Sequence, residues 1–449
     1  MTKIIARNST RLRGVAQIPG DKSISHRSII LSALAIGESV VEGLLESQDV
    51  LHTIDAMRAF GAKITKQTDD TWSIQGRGVG GLDEPPYALN LGNSGTGVRL
   101  LLGVAASNPI NTFFIGDDSL SGRPMNRVIA PLKMMGANFV SREGGRLPLA
   151  CTGPLNLHPI HYTLPVASAQ VKSAILLAAL NSAGETSIIE PIPTRDHTEL
   201  MLKQFGANVK IEQNREFSKT ITLKGEAELV SQTVKIPADP SSAAFPIVAG
   251  LITPDSKIEI NNICINPLRS GVFEILTKMG AKIEITEKDG GGSEPVADII
   301  VHSSELRGIN VPASIAPRMI DEYPILAVAA AFAEGTTVMT GLSELRVKES
   351  DRLSAIANGL QACGVKVDET ADSLTVYGNN GHVTGGAQIQ ANMDHRIAMS
   401  FLILGLASES PVTIDNGETI DTSFPNFVDL MSYLGGNINS EINQKDTGQ

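Results

Sequence analysis

Lys22, Ser23 and Arg27 fall within one short stretch, Pro19-Gly20-Asp21-Lys22-Ser23-Ile24-Ser25-His26-Arg27-Ser28, which breaks at Pro-Gly and leads into the apolar run 29–35. That is the layout of a helix N-terminus, whose unpaired N–H groups and partial positive charge suit an anion. The plainer alternative is Asp21, Ser23 or Ser25 as an ordinary N-cap. Similar starts recur along the chain. Leu91-Gly92-Asn93-Ser94-Gly95-Thr96-Gly97-Val98-Arg99 lets a ligand approach the backbone, but it lacks the Gly-Lys-Ser/Thr ending of a P-loop. Arg123 precedes Pro124 in a loop that also carries Arg127. Ser168 and Gln170 open a third start, and Arg195 follows in Thr194-Arg195-Asp196-His197; these are donors for binding rather than acid–base groups. Asp321 and Glu322 place carboxylates at a fifth start. In 345–353, helical spacing puts Lys348 and Arg352 on one face with Glu349 beside them; a solvated ion-pair ladder is the simpler account. Arg396 sits in the first turn of the last start. Cations for two or three anionic groups, a few carboxylates and no metal-ligand spacing point to transfer between anionic small molecules.

The elements that must position these groups repeat. A hydrophobic helix end, a Gly and a strand start occur six times, with glycines at 61, 136, 206, 280, 364 and 435, spaced by 75, 70, 74, 84 and 71 residues. A Gly after a helix takes the left-handed stop without strain. The polar helix starts near Asp21, Asn93, Ser168, Asp239, Asp321 and Asp394 run in step, at intervals of 72, 75, 71, 82 and 73. Each unit reads as strand–helix–strand–helix–strand–strand, and six such units suit two domains of three. Lys235-Ile236-Pro237-Ala238-Asp239 echoes Gln17-Ile18-Pro19-Gly20-Asp21, so the two pieces read as paired linkers. The expected domains are 20–238, and 1–19 with 239–449. The fourth start, at Asp239, reads as the linker copy with little to offer a ligand.

Composition narrows the function further. The 449 residues carry a net charge of −11 and only 4% aromatics, which excludes a general phosphate-backbone binder and base-stacking platforms. Cys151, Cys264 and Cys363 form no CxxC pair, His158 and His161 stand without further ligands, and no apolar run is long enough to span a bilayer. A soluble, cytoplasmic protein is expected, with no nucleic-acid or membrane partner.

Six stretches carry a resemblance, in order and over nearly the whole chain: Gly20 to Arg27, Leu91 to Thr96, Arg123-Pro124, Ser168-Ala169-Gln170, Arg346 to Arg352, and Asp394 to Met399. Together they resemble the EPSP synthase family, the 3-phosphoshikimate 1-carboxyvinyltransferases. Ser168-Ala169-Gln170 and Thr194 to His197 look like its class II bacterial branch. The resemblance implies an α/β fold of two inside-out barrel-like domains, each of three βαβαββ repeats, joined by a two-stranded hinge and closing around substrate. It implies transfer of the enolpyruvyl group of phosphoenolpyruvate to the 5-hydroxyl of shikimate 3-phosphate. Phosphate is released through a tetrahedral intermediate, with no metal or organic cofactor, in a monomeric enzyme of chorismate and aromatic amino acid biosynthesis.

Family roles then fall on matching positions. Ser23 and Arg27 would hold the shikimate part, and Ser168, Arg195 and Lys348 its phosphate. Lys22, Arg123, Gln170, Arg352 and Arg396 would hold phosphoenolpyruvate, with Asn93 and Gly95 shaping its pocket. Asp321 would take the 5-hydroxyl proton, and Glu349, with Lys22 as alternative or assistant, would serve the methylene carbon. Two positions bear on variation. The family's Lys near the last Ser-Phe-Pro is absent from Asp421-Thr422-Ser423-Phe424-Pro425, and Gly95 keeps the small residue that leaves room for glyphosate. Two rival readings remain. One is the UDP-N-acetylglucosamine enolpyruvyl transferase, whose loop Cys is missing before Arg123-Pro124. The other is a non-catalytic anion binder on the same scaffold.

Overall fold

In the computed structural model, which describes residues 2–67, 70–214 and 218–441, one four-stranded topology occurs six times. A short strand pairs parallel with the next, which pairs antiparallel with a third, which pairs antiparallel with a fourth. Leu89–Asn90, Asn111–Ile115, Arg146–Thr152 and Asn138–Arg142 form such a sheet in that order. His161–Thr163, Glu185–Glu190, Lys219–Lys224 and Val209–Gln213 form another.

The chain divides into two compact units. The first takes Gly20–Ile236 and Gly291–Glu294; the second takes the N-terminal segment through Pro19, Pro237–Gly290, and the chain from Pro295 onward. Each unit holds three of the sheets. In the first, the late strand Thr233–Lys235 supplies the parallel partner of Glu38–Glu42. In the second, Arg13–Ala16 does the same for Lys257–Cys264, and Lys3–Arg7 is the third strand of the sheet built on Val412–Ile414. The sixth repeat is thus completed by the start of the chain.

Each repeat contributes one inner and one outer helix, with short additional helices at Asp118–Gly122 and Ala316–Met319. The inner ones are Lys22–Leu34, Gly95–Ala106, Ala169–Ala179, Pro240–Ile252, Tyr323–Phe332 and His395–Ala407, and they are buried almost throughout. A helix apolar on every side belongs inside. In the second unit each of the three inner helices touches the other two. In the first, small residues allow backbone-to-backbone approach: a Cβ on Gly103 would stand 2.2 Å from the Ala174 carbonyl oxygen. The outer helices, such as Gln48–Ala59 and Gly271–Lys278, bury one face only. Their six stop glycines all adopt positive φ, from 82° to 110°.

Five inner helices start on a side-chain cap. Asp21, Ser94, Ser168, Asp239 and Asp394 accept from backbone N–H groups of Ile24, Gly97, Val171, Ser241 and Arg396. At the fifth repeat Glu322 stands at the N-cap position of Tyr323–Phe332 without a side-chain cap bond. The three cysteines are buried, and burial pushes the Cys151 and Cys363 thiols up to about 12, so these two act as packing groups. Among the described residues no helix is long and apolar enough to cross a membrane, and no three His, Cys, Asp or Glu side chains group as metal ligands.

Candidate functional site

In the first unit, the nominated residues at and beside the inner-helix starts fall into two groups, with Arg27 bonded to the Ser23 carbonyl in one and Arg123 to Asn93 in the other. Lys22, the first residue of its helix, sets its ammonium against the carboxylate of Asp49, in the first turn of Gln48–Ala59. Arg27, one turn further, is buried and spends its guanidinium on three acceptors: Nε to Thr198 Oγ1 at 2.7 Å, Nη1 to the Ser23 carbonyl at 2.8 Å, and Nη2 to Ser173 Oγ at 2.8 Å. Burial lowers its pKa to about 10, opposed chiefly by Glu199, so it stays charged at neutral pH. His26, between them, donates to or accepts from Thr53 Oγ1 at 2.8 Å and is fully buried.

A second group forms where Gly95–Ala106 meets Ala169–Ala179. Arg123 donates to Asn93 Oδ1 at 2.6 Å and to Ser119 Oγ at 3.1 Å, while Asn93 donates to Asp117 at 2.8 Å. Gln170 is fixed from both ends, donating to Thr96 Oγ1 at 2.9 Å and accepting from Arg99 at 2.8 Å. A Cβ on Gly95 would lie 2.9 Å from Arg123 Nη1 and 3.0 Å from Arg99 Nη1, so this glycine is where backbone and two guanidinium groups converge. Ser168 caps the helix that carries Gln170. Arg195 is half-buried just before His197–Gln204, near enough to Arg27 to repel its charge.

The second unit holds the carboxylates. Arg352 is 1% exposed and binds three of them: Nε to Asp394 Oδ2 at 2.8 Å, Nη1 to Asp321 Oδ1 at 3.1 Å, and Nη2 to Glu349. Burial alone would lower this guanidinium's pKa, but Asp394, Glu349 and Asp321 outweigh it and raise the value. Lys348 Nζ lies 3.3 Å from the same Asp321 oxygen, and Arg396 donates to the Asp321 backbone carbonyl at 3.1 Å. Asp321, Lys348, Glu349, Arg352 and Arg396 therefore form one connected cluster.

Two expectations need correction. The stretch carrying Lys348 is not a helix: a 3-10 turn covers Ser343–Val347, and Arg352 is the first residue of Arg352–Ala362. Asp351 takes the N-cap and accepts from the Ser354 N–H, so Lys348 and Glu349 project from a loop. Arg346 anchors that loop through Asp351, Glu369 and two carbonyls. The fourth start is also more than a linker copy. Asp239 pairs with the buried Arg269 at 3.0 Å, Arg269 pairs with Glu322 at 2.9 Å, and Ser241 donates to the same Glu322 oxygen. Glu322 lies 3.9 Å from Arg396, so this chain of charges backs the cluster. Where the family's C-terminal Lys is missing, the Thr422 hydroxyl lies 3.3 Å from His395 Nδ1.

Asp49, Arg99, Asp117 and Arg269 escaped the sequence reading. Arg99 alone left a usable trace, since it lies i,i+4 from Gly95 inside the Gly-rich start.

Six sheets of one topology, with cationic and polar side chains gathered at the helix starts, define a two-unit α/β architecture. The enolpyruvyl transferase NikO from Streptomyces tendae has this fold, with a TM-score of 0.77 over 98% of this chain and 99% of its own, at 19% identity. EPSP synthase from Acinetobacter baumannii has a TM-score of 0.87 at 43% identity, covering 98% of this chain and 100% of its own. The 3-phosphoshikimate 1-carboxyvinyltransferase of Paramagnetospirillum magneticum is 58% identical over 436 residues, 97% of this chain and 98% of its own length. The model of the EPSP synthase (3-phosphoshikimate 1-carboxyvinyltransferase) family matches residues 6–431, and the chain belongs to that family. It is accordingly a transferase, and the UDP-N-acetylglucosamine and non-catalytic readings are not favoured.

Proposed function

We propose that this enzyme transfers the enolpyruvyl group of phosphoenolpyruvate to the 5-hydroxyl of shikimate 3-phosphate and releases phosphate. The observation that carries the reading, beside family membership, is Asp321: a carboxylate held by both Lys348 and Arg352. In this role Asp321 takes the hydroxyl proton as the oxygen attacks the enol carbon. Glu349 delivers a proton to the methylene carbon and later removes one, with Lys22 as the alternative donor. Arg123, Gln170, Arg352, Arg396 and Lys22 hold phosphoenolpyruvate, with Asn93 and Gly95 shaping its pocket. Ser23 and Arg27 hold the acceptor ring, and Ser168, Arg195 and Lys348 its phosphate. Fixed cations facing carboxylate and phosphate charge account for the larger share of the rate.

The same proposal includes a monomer in the cytoplasm, which sedimentation and fractionation check. Phosphorus NMR of the purified enzyme with both substrates tests the chemistry. Appearance of the enolpyruvyl ether's phosphate resonance with stoichiometric inorganic phosphate is expected; consumption of phosphoenolpyruvate without acceptor would refute it.

A further inference from the structure

We propose that the buried Lys172–Glu190–Glu199 triad is the positioning device for the acceptor-binding residues of the first unit, acting on shikimate 3-phosphate rather than phosphoenolpyruvate. The proposal rests on the acceptor roles given above to Arg27, Ser168 and Arg195. Lys172 lies in an inner helix whose next seven residues are all buried, and it is itself wholly buried. Its ammonium lies 2.9 Å from Glu190 and 2.6 Å from Glu199, two carboxylates that are each about 1% exposed. A buried ion triad gains little stability over apolar packing, because desolvation cancels most of the attraction. What it does supply is direction, and here the directions converge on the acceptor side.

Three connections carry this. Thr194 is tied to the triad twice, its hydroxyl donating to Glu190 and its carbonyl accepting from Lys172 at 3.5 Å, and the next residue is Arg195. Ser168 lies one turn before Lys172, whose backbone N–H donates to the Ser168 carbonyl at 3.2 Å. Ser173 and Thr198, the chain neighbours of Lys172 and Glu199, are two of the three acceptors of Arg27, and their hydroxyls are 2.6 Å apart. Glu199 is also the main charge that opposes the lowering of the Arg27 pKa by burial. Asn93 and Arg123, on the phosphoenolpyruvate side, find their partners in Asp117 and Ser119 instead.

The test uses three variants. Lys172→Gln with Glu199→Gln removes one charge of each sign; Glu190→Gln and Thr194→Val each leave the Lys172–Glu199 pair in place. The expected result is a split. The KM for shikimate 3-phosphate rises about tenfold or more in the double variant and less in the single ones. The KM for phosphoenolpyruvate and kcat stay within about twofold, and amide exchange over 194–196 quickens in all three. Parallel rises in both KM values, or an unchanged acceptor KM, would overturn the proposal. If the double variant does not fold, the two single variants decide by the same split. If the wild type does not turn over these substrates, the proposed reaction fails, and unaltered amide exchange in Thr194→Val would then overturn the positioning claim separately.

Discussion

Arg352 donates from Nε to Asp394 Oδ2 at 2.8 Å, joining the first residue of one helix to the N-cap of another 42 positions later. Asp394 therefore does two jobs with its two oxygens, since Oδ1 accepts from the Arg396 N–H. Asp394→Asn separates them, because Asn is as good a cap but cannot balance a guanidinium charge. Breaking a buried ion pair costs about 3–5 kcal/mol, and the contacts of Arg352 with Asp321 and Glu349 should keep the loss near the lower figure. Urea unfolding measures it; a loss below about 1 kcal/mol would mean that the pair is dispensable.

His26 predicts acid sensitivity. Burial holds its pKa well below the ordinary 6.5, and Lys22 and Arg27 add to the effect, so the unfolded chain takes up a proton where the folded chain does not. This stability is fully present above pH 6.5 and is lost as the pH falls below it, by up to about 1.4 kcal/mol per pH unit. Denaturant midpoints at pH 7 and pH 5 should fall further apart in the wild type than in His26→Asn. Equal spacing in the two proteins would contradict the assignment.

Gly95 predicts a change of selectivity. A methyl there meets the ends of Arg123 and Arg99, at 2.9 and 3.0 Å, and both side chains are flexible enough to shift. Gly95→Ala should therefore fold, raise the KM for phosphoenolpyruvate, and weaken glyphosate inhibition by about tenfold or more, since small displacements at a reacting site are costly. Steady-state inhibition in both proteins checks this. A wild type that glyphosate does not inhibit competitively at millimolar concentration would sink the prediction.

Gly103 tests the packing of the first unit. Its Cβ would fall 2.2 Å from the Ala174 carbonyl oxygen, a backbone atom that cannot swing aside. Gly103→Ala must push two inner helices apart, and overpacking of that kind costs about 1–3 kcal/mol. A thermal midpoint equal to the wild type's would show that the helices separate freely.

The repeat was legible because its signals are local. Stop glycines such as Gly61 and Gly435 and helix starts such as Asp21 and Asp394 each need only their own turn to declare themselves. Lys348 misled because charges at i,i+4 look alike on a helix and in a loop, and only the cap at Asp351 decides between them. Asp49, Arg269 and Lys172 were invisible for another reason. Each acquires its role from a partner on a different element, and a lone charge in sequence does not reveal whether tertiary packing will bury and pair it. The paired linkers assign residues 1–19 to the second domain, but the place of Lys3–Arg7 as third strand of the sixth sheet depends on pairing with the opposite end of the chain, which no periodicity reveals.

The central claim is that Asp321, held by Lys348 and Arg352, activates the acceptor hydroxyl of shikimate 3-phosphate. The most direct test is phosphate release from phosphoenolpyruvate, with and without shikimate 3-phosphate, in wild type and Asp321→Asn. Release only with the acceptor, falling about a hundredfold or more in the variant while the substrates still bind, is the predicted result. Release that ignores the acceptor, or that survives in Asp321→Asn, would contradict it.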